Sequence, residues 1–420
     1  MNMDWLRKFG PGLFFAAVAI GVSHLVQSTR AGALYGFGML VFIVLGLATK
    51  YPTFRFGQQY ATATGFSLLE GFRRQGRWAL GLYAFIALAT VFTGLAAVAL
   101  MTAGLLQYSL GFVASPQVIG GSLIAVCSLL ILIGGYHRLD IFMKVLMLLL
   151  VIITVSATAM ALPKIQWSGS SSLMAIDFTP AVWLFVATLV GWMPAPLDAA
   201  VMQSLWTLEK SGDLEQRLTW RQASVDFHTG YFLTALIAVC FLLLGTAIMR
   251  GSEADLSGSA TDFSIQLIDM YEQVLGPWSR SLIAVTTLAV MLSTALMMLD
   301  GYSRSIATLV FHTLRAGQTK KSDSEQLSVR EVAAVMLLLN IGAMSVLFFF
   351  MRSFTTMLAI ATTVSFIAAP LLAWLTHRAM VADEVPTERR IGPALKLYSQ
   401  VCIVSLTLFT LGYLYLAASW

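Results

Sequence analysis

Eleven stretches of this chain are apolar for the length of a bilayer crossing, and polar residues gather in the short connections between them. The runs cover approximately 12–36, 38–60, 79–107, 117–135, 139–162, 178–205, 228–249, 280–302, 331–351, 354–376 and 397–418. Each supplies the roughly 20 residues that a membrane-crossing helix needs. The first two are separated only by Gly36–Phe37–Gly38, and the second carries Lys50, Pro52 and Arg55. The pattern predicts an all-α polytopic membrane protein forming a single transmembrane domain over 1–420.

Two of the runs are interrupted near their middle. In the first, Gly21, Ser23 and His24 break the apolar stretch, and Gln27, Ser28, Thr29 and Arg30 follow. In the sixth, Gly191, Pro194, Pro196 and Asp198 fall at the centre. Prolines two apart delete backbone donors and clash with the preceding turn. Non-helical backbone at membrane depth is tolerated where it lines a cavity, and its freed carbonyls and helix ends bind solutes and ions. Glycine and proline can also merely kink a membrane helix. Two breaks, each opening a five-span half, point instead to an inverted repeat with a midplane site. The repeats would span about 10–162 and 176–378, with an extra span at about 396–418.

Charge sets the expected orientation. With the N-terminus in the cytoplasm, nineteen of the 26 Lys and Arg fall in inside loops and four (Lys164, Arg250, Arg280 and Arg352) outside. Arg30, Lys50 and Arg55 lie within spans. Positive residues favour the cytoplasmic side, so the C-terminus is expected outside an inner (cytoplasmic) membrane. The acidic residues of 250–279 (Glu253, Asp255, Asp262, Asp269 and Glu272) would lie outside, as a solvated face or a cation lure.

Composition agrees with a lipid-bathed bundle: 58% of the 420 residues are hydrophobic and 11% charged. The mean hydropathy is +0.79. The net charge of +5 would suggest nucleic acid in a soluble chain, but here topology accounts for it and no nucleic-acid partner is expected. Cys127, Cys240 and Cys402 lie inside apolar runs without CxxC spacing and read as packing residues. Arg7 and Lys8 precede a run with no small-residue cleavage site, so that run is expected to be a retained span rather than a signal peptide. No nucleophile–base arrangement or cofactor motif is visible, and neither an enzyme nor a cofactor is expected.

Several segments resemble the Nramp family of divalent-metal transporters. GPG at 10–12 with AGALYGFGML at 31–40 is similar to the Nramp first span and its turn. GGYHRLDIFMKVLMLLLVI at 134–152 is similar to the fifth-span entrance, VGWMPAPLD at 190–198 to the Met-Pro-His segment, and ASVDFHTGYFLTALIAV at 223–239 to the start of span seven. The resemblance covers most of the chain. It implies a LeuT-like fold of two inverted five-helix repeats plus an eleventh span, with helices one and six broken. It also implies secondary transport of a divalent cation such as manganese or iron by alternating access, by symport in the ordinary members, and as a monomer.

The motifs depart from the family where it matters most. Aligned from GPG, Gly21 stands at the family's metal-binding Asp and His24 at its Asn, with Val22 and Ser23 between. Met193 matches the metal-binding Met and Val190 the carbonyl ligand, whereas the proton-path His is Ala195. The third-span acids are replaced by Gly94 and Ala97, and a coordinating Gln of span ten corresponds to Thr362. The resemblance therefore implies a substrate site of Gly21, Ser23, His24, Val190, Met193 and Thr362, with His24 and Met193 as the candidate metal ligands. Asp198 is the one acid near the expected midplane and a candidate coupling group, and Arg30 is a candidate coupling or gating residue and a conceivable partner for it. His24 could equally be a bundle hydrogen bond, and Met193 plain packing.

A dication without a facing carboxylate is costly to hold in low dielectric. Three readings follow: an Nramp-like metal-ion transporter with altered coupling, a carrier of a small organic solute or another ion on the same fold, and a non-transporting membrane sensor.

Overall fold

The computed structural model describes residues 10–419 apart from 112, 134–135, 168–171, 214–217, 251–258, 313–326 and 351–353. Every regular element among the described residues is helical. Eight helices are long and apolar enough to cross a membrane, and span one is a ninth crossing built from Pro11–Ala19 and Ser23–Tyr35, bent by 46°. The shorter apolar helices Pro116–Leu132 and Pro180–Gly191 fall at the fourth run and at the first half of the sixth. The second half of span six is Ala199–Asp213, so residues 192–198 leave helical geometry. Each of the eleven apolar runs therefore meets a helix.

Two helices lie in connections that the apolar pattern left as loops. Leu68–Gln75 follows span two, and Ala260–Leu275 occupies much of 250–279. Both are amphipathic: Leu69 and Phe72, then Phe263, Leu267 and Tyr271, are buried beneath charged outer faces. On the second, Asp269 and Glu272 clasp Arg280, which opens span eight, so two of the acids expected to form a solvated face or a cation lure serve an ion pair. Glu253 and Asp255 lie outside the described residues, as do Arg7, Lys8, Arg217, Arg315, Lys320, Lys321, Arg352 and the first two residues of the 134–152 segment.

Burial sorts the spans into centre and rim. The most apolar stretch of Ser279–Phe311 is 78% buried, against 22% for Pro393–Ala418. With no hydrophobic driving force between helices in lipid, close approach depends on small residues. Gly12 and Gly230 show the rule: a Cβ on Gly12 would stand 2.2 Å from the Asp226 carbonyl, and one on Gly230 would stand 2.1 Å from the Gly12 carbonyl. Span one and span seven (Trp220–Met249) thus touch backbone to backbone.

Pro52 removes the donor that would satisfy the Ala48 carbonyl one turn earlier in span two. Tyr398 of the last span supplies it, its hydroxyl donating to Ala48 O at 2.6 Å. Freed backbone is consistently met by a neighbouring side chain, as hydrocarbon surroundings demand.

One end of the bundle is tied shut. The Asp226 carboxylate accepts from the backbone N–H of Gly10 (3.2 Å) and Gly12 (2.6 Å), fixing the start of span one. Arg304 reaches Asp300 at 2.8 Å and Glu209 at 3.1 Å, joining span eight to the second half of span six. The Asp300 carboxylate also accepts from Trp206 at 3.0 Å. At the same end Glu70 takes bonds from Arg73 and Arg74, and Glu384 from Tyr60. Burial pushes the Glu70 carboxyl upward, but the two guanidinium bonds outweigh it and hold it below the usual carboxylate range.

Candidate functional site

The break in span six leaves two opposed helix ends. The first half, Pro180–Gly191, presents carbonyls and a partial negative charge; the second half, Ala199–Asp213, presents a partial positive end. Lys50, reaching across from span two and fully buried, takes the first of these. Its ammonium donates to the carbonyls of Val190 (2.6 Å), Gly191 (2.7 Å) and Ala195 (3.3 Å). Asp198 stands immediately before the second half, 1% exposed. It accepts from Tyr302 at 2.7 Å and Thr90 at 3.4 Å through Oδ2, while Oδ1 is buried without a partner. Its charge acts on Lys50 through space. Each half-helix end of span six therefore meets a charge of the chain's own, of the sign that suits it.

The break in span one is satisfied by neutral groups. The Ser23 hydroxyl lies 2.9 Å from the Ala19 carbonyl, 3.3 Å from the Pro194 carbonyl and 2.7 Å from His24 Nδ1. His24 Nε2 is 3.1 Å from the Thr234 carbonyl, which can only accept, so the neutral ring carries its hydrogen there. Nδ1 is then the acceptor for Ser23, and no ring lone pair faces a solute. Thr294 of span eight donates to Ala17 O at 2.9 Å, and Gly21 packs on it: a Cβ there would lie 2.7 Å from the threonine side chain.

The remaining residues singled out in the sequence are distributed around this crossing. Val190 contributes its carbonyl to Lys50, at the position where the resemblance expects a metal. Met193 is fully buried in the break, joined to Pro194 by a cis peptide, and its Cβ faces Gly46 of span two. Thr362 lies where span ten (Phe354–Met380) crosses the break, its carbonyl so close that a Cβ on Gly191 would stand 2.0 Å away. Its hydroxyl turns back to Leu358 O at 2.7 Å. Trp192 ties the same crossing to span ten through Ser365 (2.9 Å), and its ring fills the space that Gly94 leaves open.

Arg30 does not pair with Asp198. It lies on the far half of span one with Tyr35 as its electrostatic neighbour, while Asp198 is engaged by Tyr302 and Thr90. Conversely, the residue that completes the span-six break, Lys50, was visible only as a cation beside Pro52 inside an apolar run. Tyr302, toward the end of span eight, also reaches the break, its hydroxyl donating to Asp198. Among the described residues no group of three His, Cys, Asp or Glu side chains could hold a metal ion.

Two cavities adjoin the crossing. A small one of about 10 Å3 lies between the breaks, bordered by Ser23, Pro194, Ala195 and Tyr302; that is space for about one water. A wide one of about 730 Å3 opens away from the tied end, between Ser23–Tyr35, Pro180–Gly191 and span ten.

Comparisons with known proteins place this geometry. No family model matches the chain. The uncharacterized protein PM0681 of Pasteurella multocida is 31% identical over 422 residues, covering 99% of this chain and 94% of that protein. Among solved structures, a histidine-to-alanine variant of the Eremococcus coleocola manganese transporter matches with a TM-score of 0.66 and 12% identity, over 97% of this chain and 86% of that one. The same transporter in complex with an aromatic bis-isothiourea compound matches at TM-score 0.62 and 14% identity, with the same coverage. Mhp1, a nucleobase-cation-symport-1 family transporter, matches at 0.54 and 15%, over 98% and 93% of the two chains. The fold is LeuT-like, as the Nramp resemblance implies.

Proposed function

The chain belongs to one family with the uncharacterized protein PM0681 of Pasteurella multocida, and from that premise and its LeuT-like fold we propose that it is a secondary transporter of a small organic solute, working by alternating access. The observation that carries this reading is Lys50. In this fold class unwound carbonyls at a broken helix coordinate a transported cation. Here a tethered ammonium already occupies the carbonyls of Val190, Gly191 and Ala195. A divalent ion brought to the same carbonyls would meet a fixed positive charge a few ångströms away, a repulsion of several kcal/mol at about 4 Å and an effective dielectric of about 20. The engaged imidazole of His24 supports the same conclusion. Divalent-metal import, the activity that the Nramp resemblance implies, would need Lys50 to leave and His24 to turn.

The positive residues support an orientation with the N-terminus and the tied end in the cytoplasm and the C-terminus outside an inner membrane. The wide cavity then faces outward, and the Asp226 and Arg304 contacts form the closed inner gate. The two five-span halves, about 10–162 and 176–378, form one transport domain that acts as a monomer.

Uptake by proteoliposomes tests the reading. Saturable entry of an organic solute, with no entry of Mn2+ or Mg2+ with or without a pH gradient, is expected. Saturable Mn2+ entry accompanied by protons, and a strongly raised Michaelis constant in His24→Ala, would restore the metal reading and remove this one.

A further inference from the structure

The wide cavity carries information about the charge of what enters it. Among the described residues that line it, Arg30 is the one charged side chain, on the wall formed by the far half of span one. Its Nε is buried without a hydrogen-bond acceptor. Among the described residues no acid pairs with it, and its electrostatic neighbour is the Tyr35 phenol. A guanidinium inside a membrane span is costly and persists where it meets a partner or serves a passing solute. Deeper in, Lys50 adds a second fixed cation at the crossing, and among the described residues Asp198 is the single acid there, committed to Tyr302 and Thr90. The path from cavity to break thus carries two positive charges against one negative. In a low-dielectric passage this arrangement repels cations and draws anions.

The walls say what else the solute carries. Tyr35 and Phe185 pack with ring centroids 5.0 Å apart on one side of the cavity. Leu34 and Leu184 are exposed beside them. Gln27 and Thr188, both buried toward the break, add hydrogen-bonding groups at the deep end. Thr355, Thr356 and Thr363 of span ten add further hydroxyls. A largely apolar surface with one guanidinium and a few amide and hydroxyl groups is how a pocket recognises a small amphipathic anion. The planar fork of Arg matches a carboxylate with two parallel bonds, which an ammonium cannot do.

We propose that the cavity is the entry site for a small organic carboxylate, whose anionic group docks on Arg30 while its apolar body lies against Tyr35 and Phe185. This deepens the transporter reading and rests on it for the carboxylate's onward passage, but the binding step stands by itself. It inverts the charge preference that the Nramp resemblance implies, because Gly21, Gly94 and Ala97 stand where that family keeps acids while Arg30 and Lys50 supply fixed cations.

The test is calorimetric titration of the purified full chain in a neutral maltoside detergent. Probes are acetate, butyrate, phenylacetate, succinate and benzoate, each against its amide. At least one carboxylate should bind ten or more times tighter than its amide, on the order expected for a charge-assisted fork. Arg30→Gln should reduce that carboxylate to the level of its amide without moving the amide itself, and Arg30→Lys should retain part of the preference. Equal binding of every carboxylate and amide by the wild type overturns the proposal, whatever the folding of the variants. So does a preference that survives in Arg30→Gln. A preference abolished by stoichiometric phosphatidylglycerol, with no carboxylate entering vesicles, assigns Arg30 to a lipid headgroup and also overturns it. Binding without uptake of any solute sinks the transporter reading and leaves this one standing. Uptake of neutral solutes alone does the reverse.

Discussion

The two broken spans face the same physical problem and solve it with different chemistry. Each leaves carbonyls and amides without helical partners in a medium that offers no water. In span six the partners are charged: Lys50 on the carbonyls of Val190, Gly191 and Ala195, and Asp198 at the start of Ala199–Asp213. In span one they are neutral: the Thr294 hydroxyl meets the Ala17 carbonyl, and the Ser23 and His24 side chains at the break bond to one another. Neutral hydrogen bonds can be exchanged one at a time at about 1 kcal/mol each, whereas stripping a buried charge of its partners costs several times more. The contrast teaches that span six is electrostatically locked, while span one is the half that can be rearranged at low cost. Under the proposed alternating access, the break of span one is the part expected to rearrange against a fixed span-six crossing.

The largest expected effect is on Lys50. Lys50→Met leaves three carbonyls and Asp198 uncompensated, a loss of about 3–5 kcal/mol, read as a lowered thermal unfolding midpoint in detergent. Were this variant to melt with the wild type, the idea of a charged lock would be wrong. Next is Asp198→Asn, which keeps a group for Tyr302 but removes the charge, at about 1–3 kcal/mol. Combined with Lys50→Met it should cost less than the sum of the two, by about 0.5–3 kcal/mol of coupling. Strict additivity would show that the two charges do not act on one another.

Smaller still is the neutral break. Ser23→Ala should cost about 1 kcal/mol in the same assay. A loss equal to that of Lys50→Met would erase the distinction between the halves. The smallest effect lies at the tied end. Glu70 is held below its ordinary range of about 4.5 in the folded chain, so its contribution is complete above that pH and is lost as pH falls through the lowered value. Acid unfolding followed by circular dichroism should therefore begin at slightly higher pH in Glu70→Gln; an unchanged acid limb would mean that the Arg73 and Arg74 bonds add nothing.

Much of the architecture was legible because the bilayer imposes a local rule. Every span must be apolar for its whole length, so periodicity and length alone marked all eleven runs. Gly21, Ser23 and His24 in the first run and Gly191, Pro194 and Pro196 in the sixth marked both breaks, since backbone disruption is a property of neighbouring residues. Leu68–Gln75 and Ala260–Leu275 escaped because short amphipathic helices carry no span-length signal.

The site was legible only as a place. Sequence could name Val190, Gly191 and Asp198 as the disrupted segment, and Lys50 and Arg30 as cations in apolar runs. It could not say that Lys50 of span two caps carbonyls 140 residues away, or that Arg30 faces a cavity rather than Asp198. Those outcomes depend on how helices cross, and crossings are set by contacts such as Gly191 against Thr362 and Gly12 against Asp226. Burial by a lipid solvent is written residue by residue along the chain; which charge meets which helix end is decided by three-dimensional packing, because charge interactions depend on distance in space and not on separation in sequence.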